Sequence, residues 1–202
     1  MENNLVSVIT PTWNRPLEIL ERCIRSVEYQ THSYWEHIIC SDGPNPALEK
    51  YIQERNSSKL RYIHLPEHSN DFGNTPRQFS LQYTNGNFIV FLDDDNLIYP
   101  HFLEKMLAPL SDTKIETGFA VCKILHLGPL PKHLGNPPKV LSGIPVRVKN
   151  IDSLQVMVKK RALFKIGGWD QKSGYLADGY TFQRLAEKFG YVTVDQILGI
   201  HA

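Results

Sequence analysis

Asp93-Asp94-Asp95-Asn96 is the most chemically loaded run in the sequence. Three adjacent carboxylates repel one another unless a cation or basic groups compensate them. The run follows Phe88-Ile89-Val90-Phe91-Leu92, an apolar stretch that reads as a buried strand. Ligands of open α/β sheets bind in the crevice beyond the carboxyl ends of the strands, which favours a site over a solvated acidic turn. A divalent metal with a diphosphate is the natural counterpart, because hard cations take oxygen ligands and bridge carboxylate to phosphate.

Asp42, in Ser41-Asp42-Gly43, stands at the corresponding end of another strand. It can accept hydrogen bonds from a ribose or a base edge, although in isolation it reads as a turn aspartate before glycine. Arg15 and Arg77 flank helix starts beyond strand ends, where a phosphate or a base carbonyl could meet them; taken singly, each reads as a solvated surface residue. Asp178 opens a helix whose apolar face carries Phe182, Leu185, Ala186 and Phe189. An aspartate there is first of all an N-cap candidate.

The elements that must position these side chains alternate. Strands are expected over residues 5–10, 37–40, 60–65 and 88–92. Between them, Pro16 precedes a helix marked by Leu17, Leu20, Ile24 and Val27, and a second helix carries Leu48, Tyr51 and Ile52. Thr75-Pro76 opens a third, with Arg77, Phe79, Leu81 and Tyr83. Such alternation implies a mainly parallel α/β sheet with right-handed crossovers. The character changes after Leu110. A strand over 118–125 precedes a Pro/Gly-rich stretch over 128–145, too irregular for a regular element. A strand over 154–158, helices over 161–165 and 178–189 and a strand over 191–194 close the chain. The whole reads as one domain over residues 1–202, with a ligand-binding half to about residue 110.

Lysine and arginine number 22 against 21 aspartates and glutamates, so the formal charge of +1 excludes a general nucleic-acid or anionic-membrane surface. The 42% hydrophobic and 21% charged content is that of a soluble globular protein. Cys23, Cys40 and Cys122 lie among apolar neighbours and read as buried reduced thiols, which favours the cytoplasm. No signal peptide is visible at Met1-Glu2-Asn3-Asn4, and no apolar run is long enough to span a bilayer, leaving peripheral membrane association through a partner open.

Taken in order, the motifs resemble glycosyltransferase family 2, the inverting family with a GT-A fold. The likeness begins at Val6-Ser7-Val8-Ile9-Thr10-Pro11-Thr12-Trp13-Asn14-Arg15 and continues through Ser41-Asp42-Gly43 and Gly73-Asn74-Thr75-Pro76-Arg77. It then runs through the acidic motif and on to Ile166-Gly167-Gly168-Trp169-Asp170 and Leu176-Ala177-Asp178. The resemblance implies that Pro11, Arg15, Asp42 and Arg77 line a nucleoside pocket, with Asp94 near the ribose and diphosphate. It implies Asp95 as ligand of a divalent metal, Mn2+ or Mg2+, and Asp178 as general base. His201 resembles a histidine that completes the metal site in related enzymes; a frayed chain end is the other reading. Two departures from the family pattern are Ala177, where an acid usually stands, and Gln78 after Arg77, where asparagine is common.

The expected activity is therefore inverting transfer of a sugar from a nucleotide-sugar donor to a carbohydrate or lipid-linked saccharide acceptor, which would meet the Pro/Gly-rich loop and residues near Asp152. UDP is the favoured nucleotide: uracil's two carbonyls and one N–H suit Arg77 with Asp42, and Pro11 and Trp13 crowd the slot against a purine. A dTDP-sugar is the nearest competitor, because an apolar pocket discriminates one methyl by only ~1–3 kcal/mol. Two rivals stand beside this reading. One is a non-catalytic sugar-nucleotide or carbohydrate binding module. The other is a haloacid-dehalogenase-like phosphatase, whose acidic motif normally follows the first strand.

Overall fold

The computed structural model describes residues 4–111, 117–127 and 139–201. In the first half, strands β1 (Val6–Thr12), β2 (Trp35–Ser41), β3 (Leu60–His64) and β4 (Phe88–Phe91) alternate with helices α1 (Leu17–Glu28), α2 (Pro46–Glu54) and α3 (Asn74–Ser80). Helix α1 buries Leu20, Cys23, Ile24 and Val27 along one stripe and leaves Leu17 exposed. Helix α2 is capped by Asn45, whose side-chain oxygen accepts from the Leu48 N–H at 3.1 Å, with Pro46 in the first turn.

The second half adds β5 (Leu97–Ile98), α4 (Phe102–Leu110), β6 (Phe119–His126), β7 (Val140–Leu141), β8 (Val156–Lys159), α5 (Lys160–Lys165), α6 (Ala177–Phe189) and β9 (Tyr191–His201). The sheet runs β3-β2-β1-β4-β8-β6-β9-β5, with β7 on β6. The expected parallel pairings hold among β1 to β4. Beyond β4 the sheet is mixed: β8 lies antiparallel between β4 and β6, while β9 runs parallel to β6. The carboxyl ends of β1, β2 and β4 therefore point the same way, which brings the residues after each to one rim.

Side chains alternate across the central strands as the pleat requires. Val6, Val8, Phe88 and Val90 pack with Phe102, Met106 and Met157 on one face, and Ile9, Ile89 and Phe91 pack with Val158, Trp169 and Phe182 on the other. Both faces of β4 are covered, so it reads as an unbroken apolar run. All three cysteines are buried and free.

Several expectations are corrected. The closing strand runs to His201, well past Val194, and Leu154 lies in a 3-10 turn (Ser153–Gln155) ahead of β8. Of the Pro/Gly-rich stretch, residues 128–138 lie outside the described residues, and Val140–Leu141 forms the short strand β7 on β6 where no regular element was expected.

Gly86 fixes how β4 enters the sheet. A Cβ there would sit 2.6 Å from the Leu5 carbonyl oxygen and 2.7 Å from the Ser7 amide nitrogen, while the Gly86 N–H donates to Ser7 Oγ at 2.9 Å. Because backbone atoms cannot step aside cheaply, Gly86→Ala is expected to cost about 1–3 kcal/mol, as overpacking does. Chemical denaturation of the variant checks this, and an unchanged midpoint would contradict it.

Candidate active site

Two adjoining cavities open at the rim. The smaller, of about 380 Å³, is lined by Pro11, Arg15, Asp42, Arg77, Asp94 and Asp95, among others. Six of the seven residues expected to meet a nucleotide and its metal therefore share one pocket; the seventh, His201, lines the larger cavity. Arg15, just past β1, reaches across to the acidic run: its Nε donates to Asp94 Oδ1 at 2.7 Å and its Nη2 pairs with Asp95 Oδ2 at 3.0 Å. Burial pushes the Asp94 carboxyl up to about 6, partly offset by a hydrogen bond from Thr12 and by Arg15. On the other side, Arg77 pairs with Asp93 through Nη2, donates from Nη1 to the Phe72 carbonyl at 2.9 Å, and lies 5.0 Å from the centre of the Trp169 ring.

Asp42 is engaged within the chain. Its Oδ1 accepts from the Ser69 N–H at 2.8 Å, and its Oδ2 lies 2.9 Å from His68 Nδ1. The His68 ring in turn stacks on Trp13, centroids 3.9 Å apart and 10° from parallel.

The larger cavity, of about 560 Å³, shares Phe72, Arg77 and Asp93 with the first and is lined further by His126, Asp152, Tyr175, Asp178 and His201. Asp178 is the second residue of α6. The cap position belongs to Leu176, so the N-cap reading of Asp178 is wrong: its Oδ1 instead accepts from the adjacent Gly179 N–H at 2.6 Å. Burial first, then the Asp152 charge, push its carboxyl up to about 7, against hydrogen bonding from Gly179 and the pull of Arg77. Asp152 is also raised, by burial and by Asp93, while His201 pulls it down. Asp152 caps the 3-10 turn by accepting from the Leu154 N–H at 2.8 Å and lies 3.5 Å from His201 Nε2. The His201 ring stacks on His126 at 4.8 Å. His201 thus pairs with Asp152 in the lining of the larger cavity, whereas Asp95 lines the smaller one.

Sequence reasoning named Asn74, Gln78 and Trp169 only within motifs and missed that they join the two cavities. Asn74 Oδ1 accepts from the Trp169 indole N–H at 2.9 Å, and Asn74 Nδ2 donates to the Gly174 carbonyl at 3.0 Å. Gln78, the departure from the family pattern, accepts from the Trp169 backbone N–H at 2.7 Å. A Cβ on Gly168 would meet Gln78 Oε1 at 2.4 Å, and its φ of +86° also favours glycine. His68 could not be singled out, because the loop carrying it has no periodicity to mark which side chain turns inward.

The family model "Glycosyl transferase family 2" matches residues 7–150, and the chain belongs to that family. Protein CgeD of Bacillus subtilis (strain 168) is 25% identical over 214 residues, covering 96% of this chain and 49% of its own. S. aureus TarS, solved with UDP-GlcNAc, superposes with a TM-score of 0.74 at 17% identity, over 100% of this chain and 58% of its own. The mannosyltransferase PcManGT of Pyrobaculum calidifontis, solved with GDP-Man and Mn2+, gives 0.71 at 17% identity, over 98% of this chain and 56% of its own. These likenesses show the GT-A fold. The chain spans about half the length of the relatives it matches. The phosphatase alternative falls with the family match, and the acidic run follows β4 rather than β1.

The raised Asp178 carboxyl has a signed consequence. It stays protonated between its ordinary value of 3.8 and about 7, where the unfolded side chain is ionised. The folded state then binds the extra proton, so this group's contribution to stability falls as pH rises through that window. Asp178→Asn should raise Tm relative to the parent at about pH 8, with the gain fading toward about pH 4. Thermal melts at both pH values check this; equal shifts would contradict it.

Proposed function

We propose that this chain transfers a sugar from a nucleotide-sugar donor to an acceptor hydroxyl, with inversion at the anomeric carbon. The observation that carries the reading is the meeting of the two cavities at Arg77 and Asp93, with the acidic run on one side and Asp178 on the other. A donor lying with its diphosphate by Asp94 and Asp95 would direct its sugar past Arg77 toward Asp178. Asp178 then takes the proton of the attacking hydroxyl, on the face opposite the departing diphosphate. A carboxyl raised to about 7 is suited to that task near neutral pH.

The donor set at Asp93, Asp94 and Asp95 suits a hard divalent cation, Mn2+ or Mg2+, with Asp95 as principal ligand. Among the described residues, no three His, Cys, Asp or Glu side chains form a metal cage by themselves, so donor phosphate oxygens would complete the shell. His201 is a further candidate ligand, since Ile200 pairs with Leu97 and sets the strand end beside the acidic run. A cation held there would supply charge neutralisation on the leaving diphosphate, so that no residue of this chain need protonate it. The Mn2+ in the PcManGT complex supports this reading.

UDP is the favoured nucleotide. Its uracil N–H would replace the His68 contact on Asp42 while a carbonyl meets Arg77. The TarS complex with UDP-GlcNAc supports it; the GDP-Man complex of PcManGT means the choice rests on these side chains and not on the fold. The acceptor is assigned to a carbohydrate or lipid-linked saccharide, with Asp152 beside it.

Two measurements test the assignment. In competition binding with manganese present, UDP should bind more tightly than dTDP, GDP or CDP; GDP binding as tightly as UDP would contradict the base assignment. Asp178→Asn should keep UDP affinity and lose transfer by about 10²–10⁴-fold, with parent activity rising as pH passes through about 7. Nucleotide binding without turnover in the parent would favour the binding-module reading instead.

A further inference from the structure

Two aromatic rings stand in the open beside Asp178 without burial to account for them. Phe72 is 69% exposed and Tyr175 58% exposed, on separate loops, with ring centroids 6.1 Å apart and planes at 75°. Phe72 holds a φ of +63°, a costly conformation for a bulky side chain, yet its ring gains little from burial in return. The two loops are not free to drift. Buried Asn74 donates to the Gly174 carbonyl and accepts from the Trp169 indole, so a single asparagine joins the Phe72 loop to the Tyr175 loop.

Both rings line the larger cavity, whose walls also carry Asp93, Asp152 and Asp178. The Tyr175 hydroxyl end is partly covered and faces those same three carboxylates, which together raise the phenol further above its ordinary range and keep it a hydrogen-bond donor beside them. The cavity therefore offers flat apolar faces at its mouth and hydrogen-bond acceptors further in. A pyranose ring matches that pattern: it has a face of C–H groups and a rim of hydroxyl donors. An open-chain polyol has the hydroxyls but no such face. An acyl chain would leave the carboxylates unsatisfied.

We propose that Phe72 and Tyr175 clamp the acceptor, and that this acceptor is a hexopyranose whose C–H face lies on the Tyr175 ring while one hydroxyl reaches Asp178. The inference rests on the transferase reading of Asp178 and gives the acceptor a seat and a chemical class. It also accounts for the position of Phe72, which borders both cavities and so marks where donor sugar and acceptor would meet.

Saturation-transfer NMR tests the clamp with methyl β-D-glucopyranoside, methyl N-acetyl-β-D-glucosaminide and methyl α-D-mannopyranoside, against ribitol and glycerol. Each is titrated with and without UDP and manganese. At least one pyranoside should bind, with saturation strongest on its axial ring protons. Tyr175→Ala and Phe72→Ala should weaken it by about tenfold or more, as loss of an aromatic anchor does, while Tyr175→Phe keeps most of the affinity. Ribitol binding as well as the pyranosides, no pyranoside binding at all, or full affinity in Tyr175→Ala would each overturn the proposal. UDP affinity, read separately by calorimetry, should be unchanged in Tyr175→Ala. Failure of UDP to bind the parent would count against the donor reading, while the titrations without UDP still decide the clamp.

Discussion

The structure depends on how one crowded set of carboxylates is kept from repelling itself. Asp42, Asp93, Asp94, Asp95, Asp152 and Asp178 all line the two joined cavities, and two arginines carry most of the compensation. Arg15 joins β1 to the acidic run by holding Asp94 and Asp95 together, and Arg77 joins α3 to the same run by holding Asp93. Arg77 is itself buried against Trp169, so its charge acts through little water and reaches Asp152 and Asp178 as well. Under the proposed function, an anionic diphosphate would meet both arginines where a cation takes over the carboxylates they hold. The same ion pairs that hold the rim together would then govern what can enter it.

Burial divides the carboxylates into two kinds. Asp93 and Asp95 keep about a third of their side chains exposed and lie next to arginine. Asp94, held by the same Arg15, lies deeper and is pushed up to about 6. Asp178, with no direct basic partner in the described residues, is pushed up to about 7. The arginine-paired carboxylates of the acidic run would suit a cation that bridges to a diphosphate, whereas Asp178, raised by burial and without such a partner, would suit proton transfer. The partition follows from which loop each aspartate stands on: the acidic run opens directly from β4 into the rim, and Asp178 sits in the first turn of α6 under Tyr175 and Asp152.

Much of this was legible in the residues alone. The apolar run of β4 ending in three aspartates, the Ser41-Asp42-Gly43 turn and the alternation of β1 to β4 with helices rest on local patterns that tertiary packing did not override. Strand direction beyond β4 was not legible, because side-chain periodicity is the same in parallel and antiparallel pairs. The length of β9 was hidden by exposed Asp195 and Gln196 at a register shift opposite Cys122 and Lys123, where a polar pair reads as a break. Asp178 looked like a cap because aspartate is favoured at helix starts, and a shift of two positions along the chain leaves no local mark. The Asn74, Gln78 and Trp169 lattice and the exposed pair of Phe72 and Tyr175 depend on contacts between segments about a hundred residues apart. No local signal carries such contacts.

On the proposed function, the acidic run would exchange its arginine partners for a cation when a diphosphate binds. Calorimetry of UDP with and without manganese, on the parent and on Asp95→Asn, tests it most directly. Manganese should tighten UDP binding to the parent, and Asp95→Asn should bind UDP with an affinity that manganese no longer changes, while circular dichroism shows the fold intact. Full manganese enhancement in a folded Asp95→Asn protein would contradict the account.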